Sequence, residues 1–93
     1  MAIKIEKFNP NGIVTTYHRI PMVIIETNQQ TTVLVYSYLS EEARLIEKDA
    51  SIEHTPQYYE YEYHHAESDN FMTIEKAYEW LKTQPEFIGA EDV

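Results

Sequence analysis

The chain has 93 residues, a length that supports one domain built around one hydrophobic core. Hydrophobic residues make up 43% of it and charged residues 25%, both close to globular averages, so we expect a folded chain. The absence of cysteine excludes disulfides, thiolate metal sites and cysteine nucleophiles. No apolar run approaches the roughly 18 residues of a membrane-spanning helix, and the first residues do not resemble a signal peptide, so we expect a soluble protein without a membrane partner.

The net charge of −9 lies entirely in the second half of the chain. Residues 1–48 carry five basic and five acidic side chains, whereas residues 49–93 carry two basic and eleven acidic ones. An acidic half repels duplex DNA and anionic membranes, and the scattered basic residues of the first half do not form a binding patch. The charge distribution therefore predicts that nucleic acid is not a partner.

The first third of the chain predicts strands joined by a hairpin turn. Residues 3–6 alternate apolar and polar side chains, which indicates a strand with one buried face. Residues 9–12 suit a hairpin turn, because proline restricts φ and the Asn-Gly pair tolerates positive φ. Residues 13–27 are rich in β-branched and aromatic side chains but are interrupted by Pro21. This run is therefore either an edge strand or two strand segments joined at a bulge.

The middle of the chain predicts a central strand, a short helix and a tyrosine-rich strand. Residues 31–39 are apolar or aromatic on both faces, as in a strand covered on both sides. Ser40 can cap one or two helical turns that end near Lys48. Residues 58–65 then alternate with period two, with tyrosines on one face (Tyr59, Tyr61, Tyr63) and polar residues on the other (Glu60, Glu62, His64). We expect the tyrosine side to be covered by the C-terminal helix and the polar side to face solvent.

The C-terminal helix is predicted to begin after Thr73, a residue that can cap it, and to stop at Pro85. Its apolar stripe has helical spacing and comprises Ile74, Ala77, Tyr78 and Leu81. After the stop, Phe87 and Ile88 are expected to fold back against the sheet. Residues 1–93 are thus predicted to form a single α+β domain, an antiparallel β-meander of about four strands with a short crossover helix and a C-terminal helix packed on one face.

One group of side chains has the residue types of a metal site: His54, His64, His65, Glu60, Glu62 and Glu67. Adjacent strand residues point to opposite faces, so His64 and His65 cannot easily hold one ion, and His64 pairs better with Glu62. Structural zinc usually needs a closed set of four ligands. A solvated strand face is therefore the favoured interpretation, and we predict no metal or other cofactor.

Residues that could support catalysis are isolated in the sequence. His18 could act as a general base and Ser37 or Ser40 as a nucleophile. No Gly-x-Ser-x-Gly elbow, His-Glu-x-x-His motif or glycine-rich loop accompanies them. Catalysis requires several groups in one place, so we expect that the protein is not an enzyme.

Eight tyrosines in so short a chain favour a role in protein contacts. Trp80 lies off the apolar stripe of the C-terminal helix, and an exposed indole there would mark a partner surface. The predicted contact residues are Tyr17, Tyr36, Tyr38, Trp80 and Phe87. Self-association is expected through the neutral first half, next to an edge strand near Pro21.

The acidic second half admits an alternative function, in which carboxylates imitate DNA phosphates for a basic nucleic-acid-binding partner. The candidate side chains are Glu60, Glu62, Glu67, Asp69, Glu75 and Glu79. Ordinary solubility accounts for the same net charge. An acidic inhibitor therefore stays as the second hypothesis.

Residues 77–93 read Ala-Tyr-Glu-Trp-Leu-Lys-Thr-Gln-Pro-Glu-Phe-Ile-Gly-Ala-Glu-Asp-Val. They resemble the ending of small proteins encoded in the tail and baseplate modules of tailed bacteriophages and prophages of Gram-positive bacteria. In those proteins a helix runs into a Leu-Pro-Glu-Phe-like step, then Gly-Ala and an acidic terminus; Gln84 stands here where the family tends to carry leucine. The opening, with Gly12-Ile13 leading into Tyr17-His18-Arg19-Ile20, is similar in style.

The resemblance implies a virion or tail-assembly component, with no catalytic residues to carry over. We therefore expect a non-enzymatic structural or assembly protein that acts through protein–protein contacts. Its partners are predicted to be further copies of itself, as a homo-oligomer, and other phage structural proteins. The bacterial cytoplasm is the expected place of synthesis, followed by association with the virion.

Overall fold

Five strands and two helices account for most of the residues that the structure, a computed structural model, describes, namely 1–49 and 57–93. In chain order they are β1 (Ile3–Phe8), β2 (Val14–Glu26), β3 (Gln30–Tyr38), α1 (Glu41–Asp49), β4 (Glu60–Ala66), α2 (Ile74–Leu81), a 3₁₀ turn (Pro85–Phe87) and β5 (Glu91–Asp92). The strands form one sheet in the order β4-β3-β2-β1-β5, and every neighbouring pair is antiparallel. The predicted α+β meander is confirmed, with β5 as an additional strand.

The hairpin between β1 and β2 is closed by the predicted turn. Gly12 adopts a φ of +86°, a left-handed conformation that costs a residue without a Cβ little, and its N–H donates to the carbonyl of Asn9 at 2.9 Å. The register of β2 against β3 shifts between Arg19 and Met22, the segment that contains Pro21. The bulge interpretation is confirmed. Because β1 pairs with β2 only from Val14 to His18, the Pro21 segment pairs with β3 alone among the described residues, so it also lies at an edge.

The main hydrophobic core lies between the sheet and α2. It combines Ile3 and Ile20 with Val33 and Val35 of the interior strand β3, and the buried residues Ala77, Tyr78, Leu81 and Phe87 cover them. Thr73 caps α2 as predicted, because its side chain accepts a hydrogen bond from the N–H of Lys76. Ile74, expected on the buried stripe, is largely exposed, and so is Ile88.

The short helix α1 is attached to the sheet by a polar network centred on Glu47. The carboxylate of Glu47 accepts hydrogen bonds from Tyr38 Oη at 2.9 Å and from Arg44, and Arg19 lies at 3.5 Å. Burial alone would raise the pKa of Glu47, but these groups and the N–H of Gln57 together hold the pKa below its usual value. The network therefore holds α1 against β2 and β3.

The two faces of strand β4 are reversed relative to the prediction: the polar residues, and not the tyrosines, lie on the side that α2 covers. Its register places Glu62 and His64 opposite Val35 and Val33, on the side of the sheet that α2 covers. The intervening residues Tyr61 and Tyr63 consequently lie on the other side, and both are more than half exposed. The prediction that α2 covers the tyrosines was therefore wrong.

None of the helices in the described parts of the chain is long and apolar enough to cross a membrane.

Candidate functional site

Strand β4 forms one edge of the sheet and pairs only with β3 among the described residues. An edge strand presents unpaired N–H and C=O groups that can bind another strand. Natural proteins block such edges with proline, with lysine or with inward-pointing charges. The β4 sequence contains neither proline nor lysine, and both of its inward carboxylates, Glu60 and Glu62, form ion pairs with Lys7. Within residues 1–49 and 57–93, no strand pairs with the outer side of β4.

A surface of aromatic and apolar side chains adjoins this edge, and we call Met22, Ile24, Tyr61 and Tyr63 the tyrosine face. Tyr61 and Tyr63 are 55% and 52% exposed, and their rings meet edge to face at 5.9 Å between centroids. Met22 and Ile24 lie on the same side of the sheet, two strands away, and are also exposed. Tyr58 continues the aromatic row, because it contacts Tyr61 and stacks on Tyr36 with centroids 4.2 Å apart. The tyrosine face therefore offers exposed aromatic and apolar side chains for protein contacts.

The opposite side of β4 carries a group of charged residues that the sheet brings together from both ends of the chain. Lys7 on β1 is nearly buried; its ammonium group donates to Glu60 Oε1 at 3.0 Å and to Glu62 Oε1. Burial alone would lower the pKa of Lys7, but the two carboxylates outweigh it and raise the pKa above the ordinary value. Three inter-strand spacings of about 4.8 Å separate β1 from β4. The ion pairs therefore require a sheet that curls towards this side.

The buried His18 and Ser37 form a hydrogen-bonded pair between strands β2 and β3, on the same side of the sheet. His18 Nε2 lies 2.9 Å from the carbonyl of Ile5, which can only accept, so Nε2 carries the proton. Nδ1 then accepts from the Ser37 hydroxyl at 2.8 Å. Burial of the imidazole lowers the pKa of His18, which favours the neutral form. Both side chains are almost fully buried, so this pair satisfies polar groups in the core and has no access to a substrate.

The predicted metal-ligand group separates into two parts. His64 lies next to Glu62, and the sequence-distant Glu86 completes a set of three whose candidate ligand atoms all lie within 4.8 Å of one another. His65 points to the other side of β4, where its Nδ1 lies 3.1 Å from the hydroxyl of Thr32. His54 lies outside the described residues. Sequence reasoning paired Glu62 with His64 but missed Glu86, whose position depends on the 3₁₀ turn.

The predicted contact residues are distributed between the core and the surface. Tyr38 and Phe87 are fully buried, so the prediction that they contact a partner is wrong for this fold. Tyr17 and Tyr36 are half-buried; Tyr17 packs against Tyr38, and Tyr36 lies under the guanidinium of Arg19. Trp80 is also half-buried and packs against the core, contrary to the exposed indole expected. Other aromatic side chains are exposed instead, namely Tyr61 and Tyr63 on β4, and Phe8 and Phe71 elsewhere.

The chain matches no protein-family model, and comparisons with curated proteins and with solved structures find no similar protein.

Proposed function

We propose that this protein is a non-enzymatic assembly protein that acts through protein contacts and associates with itself through strand β4. The observation that carries the proposal is the open β4 edge beside the exposed Tyr61 and Tyr63. An edge strand adds a partner strand through main-chain hydrogen bonds, and the adjoining side chains determine which strand fits. This proposal puts self-association in the acidic half of the chain, whereas the sequence predicted it in the neutral half, near Pro21.

The β4 sequence is complementary to itself when two copies pair antiparallel about a two-fold axis at Tyr63. In this register Glu62 of one copy lies opposite His64 of the other, and Tyr61 lies opposite His65. Aromatic pairs at directly facing positions stabilise antiparallel strands, whereas like charges destabilise them. The register brings no two carboxylates to directly facing positions, which favours a second copy of this chain as the occupant.

The resemblance of residues 77–93 to small phage tail and baseplate proteins supports the same class of function. We propose on that basis a structural or assembly role in a bacteriophage or prophage, with synthesis in the bacterial cytoplasm and later association with the virion. Other phage structural proteins are then further partners. The tyrosine face is the surface on which we expect them to bind.

Replacement of Tyr63 by lysine tests the self-association. Tyr63→Lys places like charges next to each other at the two-fold axis and adds the residue type that blocks natural edges. We expect the wild-type protein to form dimers or larger oligomers at micromolar concentration, and Tyr63→Lys to be monomeric. Light scattering coupled to size-exclusion chromatography measures the mass directly.

Phe71→Lys provides the matched control, because Phe71 is an aromatic residue that is 81% exposed and lies outside β4. It should leave the oligomer intact. A wild-type monomer at all concentrations, or equal loss of the oligomer in both variants, would contradict the assignment of β4.

The acidic-inhibitor hypothesis has less support from the structure. Two of its candidate carboxylates, Glu60 and Glu62, face the α2 side of the sheet and are engaged by Lys7. Glu79 is paired with Lys82. This hypothesis predicts capture of a basic nucleic-acid-binding protein that weakens as salt is added.

A further inference from the structure

We propose that Glu62, His64 and Glu86 bind one divalent first-row transition metal ion such as Zn²⁺. This metal site does not depend on the proposed self-association, because all three ligands belong to one chain. We name this set the Glu-His-Glu cluster. It joins a strand at one edge of the sheet to the 3₁₀ turn that precedes the strand at the other edge.

The distances in the Glu-His-Glu cluster suit one small cation. Oε2 of Glu62 lies 3.1 Å from Nε2 of His64, and the candidate atoms of all three residues lie within 4.8 Å of one another. Two ligands about 2.0 Å from a tetrahedral zinc ion are about 3.3 Å apart. Glu62 and His64 already have this spacing, and the Glu86 side chain is exposed, so it is not fixed by packing in the core.

A buried nitrogen without a partner points to a ligand. Nε2 of His64 has no contact with solvent and no hydrogen-bond partner within the described part of the chain, although Glu62 lies nearby. A buried polar atom left unpaired costs free energy, so such atoms normally have a partner. A metal ion bound beside Glu62 would give this nitrogen a partner, and the exposed Glu86 carboxylate lies close enough to join it.

The charge around the cluster matches a divalent ion. Glu60, Glu62 and Glu86 contribute three negative charges, and Lys7 neutralises one of them. The remaining two negative charges equal the charge of the ion, provided that His64 binds as neutral imidazole. Charge balance therefore favours a dication over a monovalent ion.

Neighbouring side chains fix the orientation of two ligands. Lys7 binds Oε1 of Glu62 and leaves Oε2 directed at His64, while the ring of Phe87 packs edge to face on His64 at 5.8 Å. Hydrogen bonds and packing around the ligands raise metal affinity because they hold the ligands in place. An open depression of about 330 Å³ adjoins Glu86, the exposed ligand, and is also lined by Lys7 and Pro85. Three protein ligands leave a fourth position for water.

Zinc titration of tag-free protein against a chromophoric chelator tests the site. The wild-type protein should bind one Zn²⁺ per chain, and His64→Ala and Glu86→Gln should each weaken binding by at least about tenfold. Two controls use residues close in sequence or type: His65→Ala removes the adjacent imidazole on the other side of β4, and Glu75→Gln removes an exposed carboxylate on α2. Both controls should bind as the wild type does.

Glu86 is exposed, so Glu86→Gln tests the ligand even if His64→Ala fails to fold, as circular dichroism would reveal. The monomeric variant Tyr63→Lys should retain the zinc affinity, because the ligands lie in one chain on the opposite side of β4. No binding by the wild type, unchanged affinity in Glu86→Gln, or equal loss in His65→Ala would each overturn the site. Loss of zinc binding in Tyr63→Lys would overturn its location within one chain.

Discussion

His18 illustrates how a single buried residue links stability to pH. Its folded-state pKa lies below the ordinary value of 6.5, so the unfolded chain takes up a proton first as the pH falls. The neutral His18 should therefore contribute fully to the free energy of unfolding above about pH 6.5. This contribution should be lost as the pH falls from 6.5 through the folded-state pKa. The Glu47 carboxylate has a pKa held below its ordinary value of 4.5, so its contribution to the free energy of unfolding is lost only below about that pH.

The His18 contribution can be isolated by urea denaturation at several pH values between about 5 and 8, with a chelator present. The denaturation midpoint of the wild type should fall as the pH drops below 6.5. His18→Gln should be less stable at neutral pH and show a flatter pH profile in this range, whereas the exposed His65→Ala should keep the wild-type profile. A His18→Gln profile as steep as the wild type's would refute this account.

Lys7 makes a second residue-scale contribution through its two ion pairs with Glu60 and Glu62. Lys7→Met keeps the aliphatic volume but leaves two partly buried carboxylates without their counter-ion. We expect a loss of about 1–3 kcal/mol in the free energy of unfolding, less than for a fully buried pair because both carboxylates keep some contact with water. Chemical denaturation measures the loss. Lys4→Met, on the same strand but exposed, should change stability by less than about 0.5 kcal/mol, and equal losses would contradict the ion-pair role.

Among the elements, the bulge in β2 depends on the C-terminal helix. The Oη of Tyr78 on α2 accepts a hydrogen bond from the N–H of Ile20 at 2.8 Å and donates to the carbonyl of Met1 at 2.7 Å. The register shift beside Pro21 interrupts the regular ladder, and the tyrosine supplies the missing partner. The helix thus satisfies the backbone as well as covering the core.

Removal of the Tyr78 hydroxyl tests this link between helix and bulge. Tyr78→Phe leaves the buried N–H of Ile20 unpaired, so we expect a loss of about 1–3 kcal/mol in the free energy of unfolding. Tyr63→Phe removes a hydroxyl from an exposed tyrosine and should change stability by less than about 0.5 kcal/mol. Thermal and urea denaturation of the two variants give the comparison, and similar stabilities would show that the bond contributes nothing.

Strand β4 shows what local sequence pattern can and cannot predict. Its alternation indicates a strand, yet period two is the same for both orientations and does not say which face is buried. Burial of the acidic face depends on Lys7, more than fifty residues away, and so on a contact that no local pattern contains. Likewise the pattern around Pro21 allowed an edge strand or a bulge, and only the tertiary pairing shows that a bulge is present in a segment that pairs with β3 alone among the described residues. Helix α2 was predictable because its cap and stripe are local.

The same distinction explains the candidate sites. Glu62 and His64 could be paired from their spacing, but Glu86 joins them only through the tertiary position of the 3₁₀ turn. Tyr38 and Phe87 were wrongly predicted as contact residues because aromatic composition favours surfaces and cores alike.

At the scale of the whole molecule, the net charge of −9 opposes self-association. Added salt screens this repulsion, since the Debye length falls from about 10 Å at 0.1 M to about 3 Å at 1 M. We therefore expect the dissociation constant of the oligomer, measured by analytical ultracentrifugation, to decrease as sodium chloride is added. An acidic inhibitor bound to a basic protein would show the opposite trend, and oligomers that dissociate in salt would contradict β4 pairing as the main contact.

The 3₁₀ turn Pro85–Phe87 lies close to one edge strand of the sheet, β4, and leads into the other, β5. Glu86 reaches the β4 edge, Phe87 packs between His18 and His64, and the chain continues into β5, where the N–H of Val93 donates to Ala2 at 3.0 Å. With zinc bound as proposed, one coordination bond at β4 would also restrain the far edge. The amide of Ala90 donates to Phe87 and the amide of Val93 donates to Ala2. Deuterium exchange at both amides should then slow when zinc binds, so that an ion at the β4 edge lowers the rate of local opening at the β5 edge.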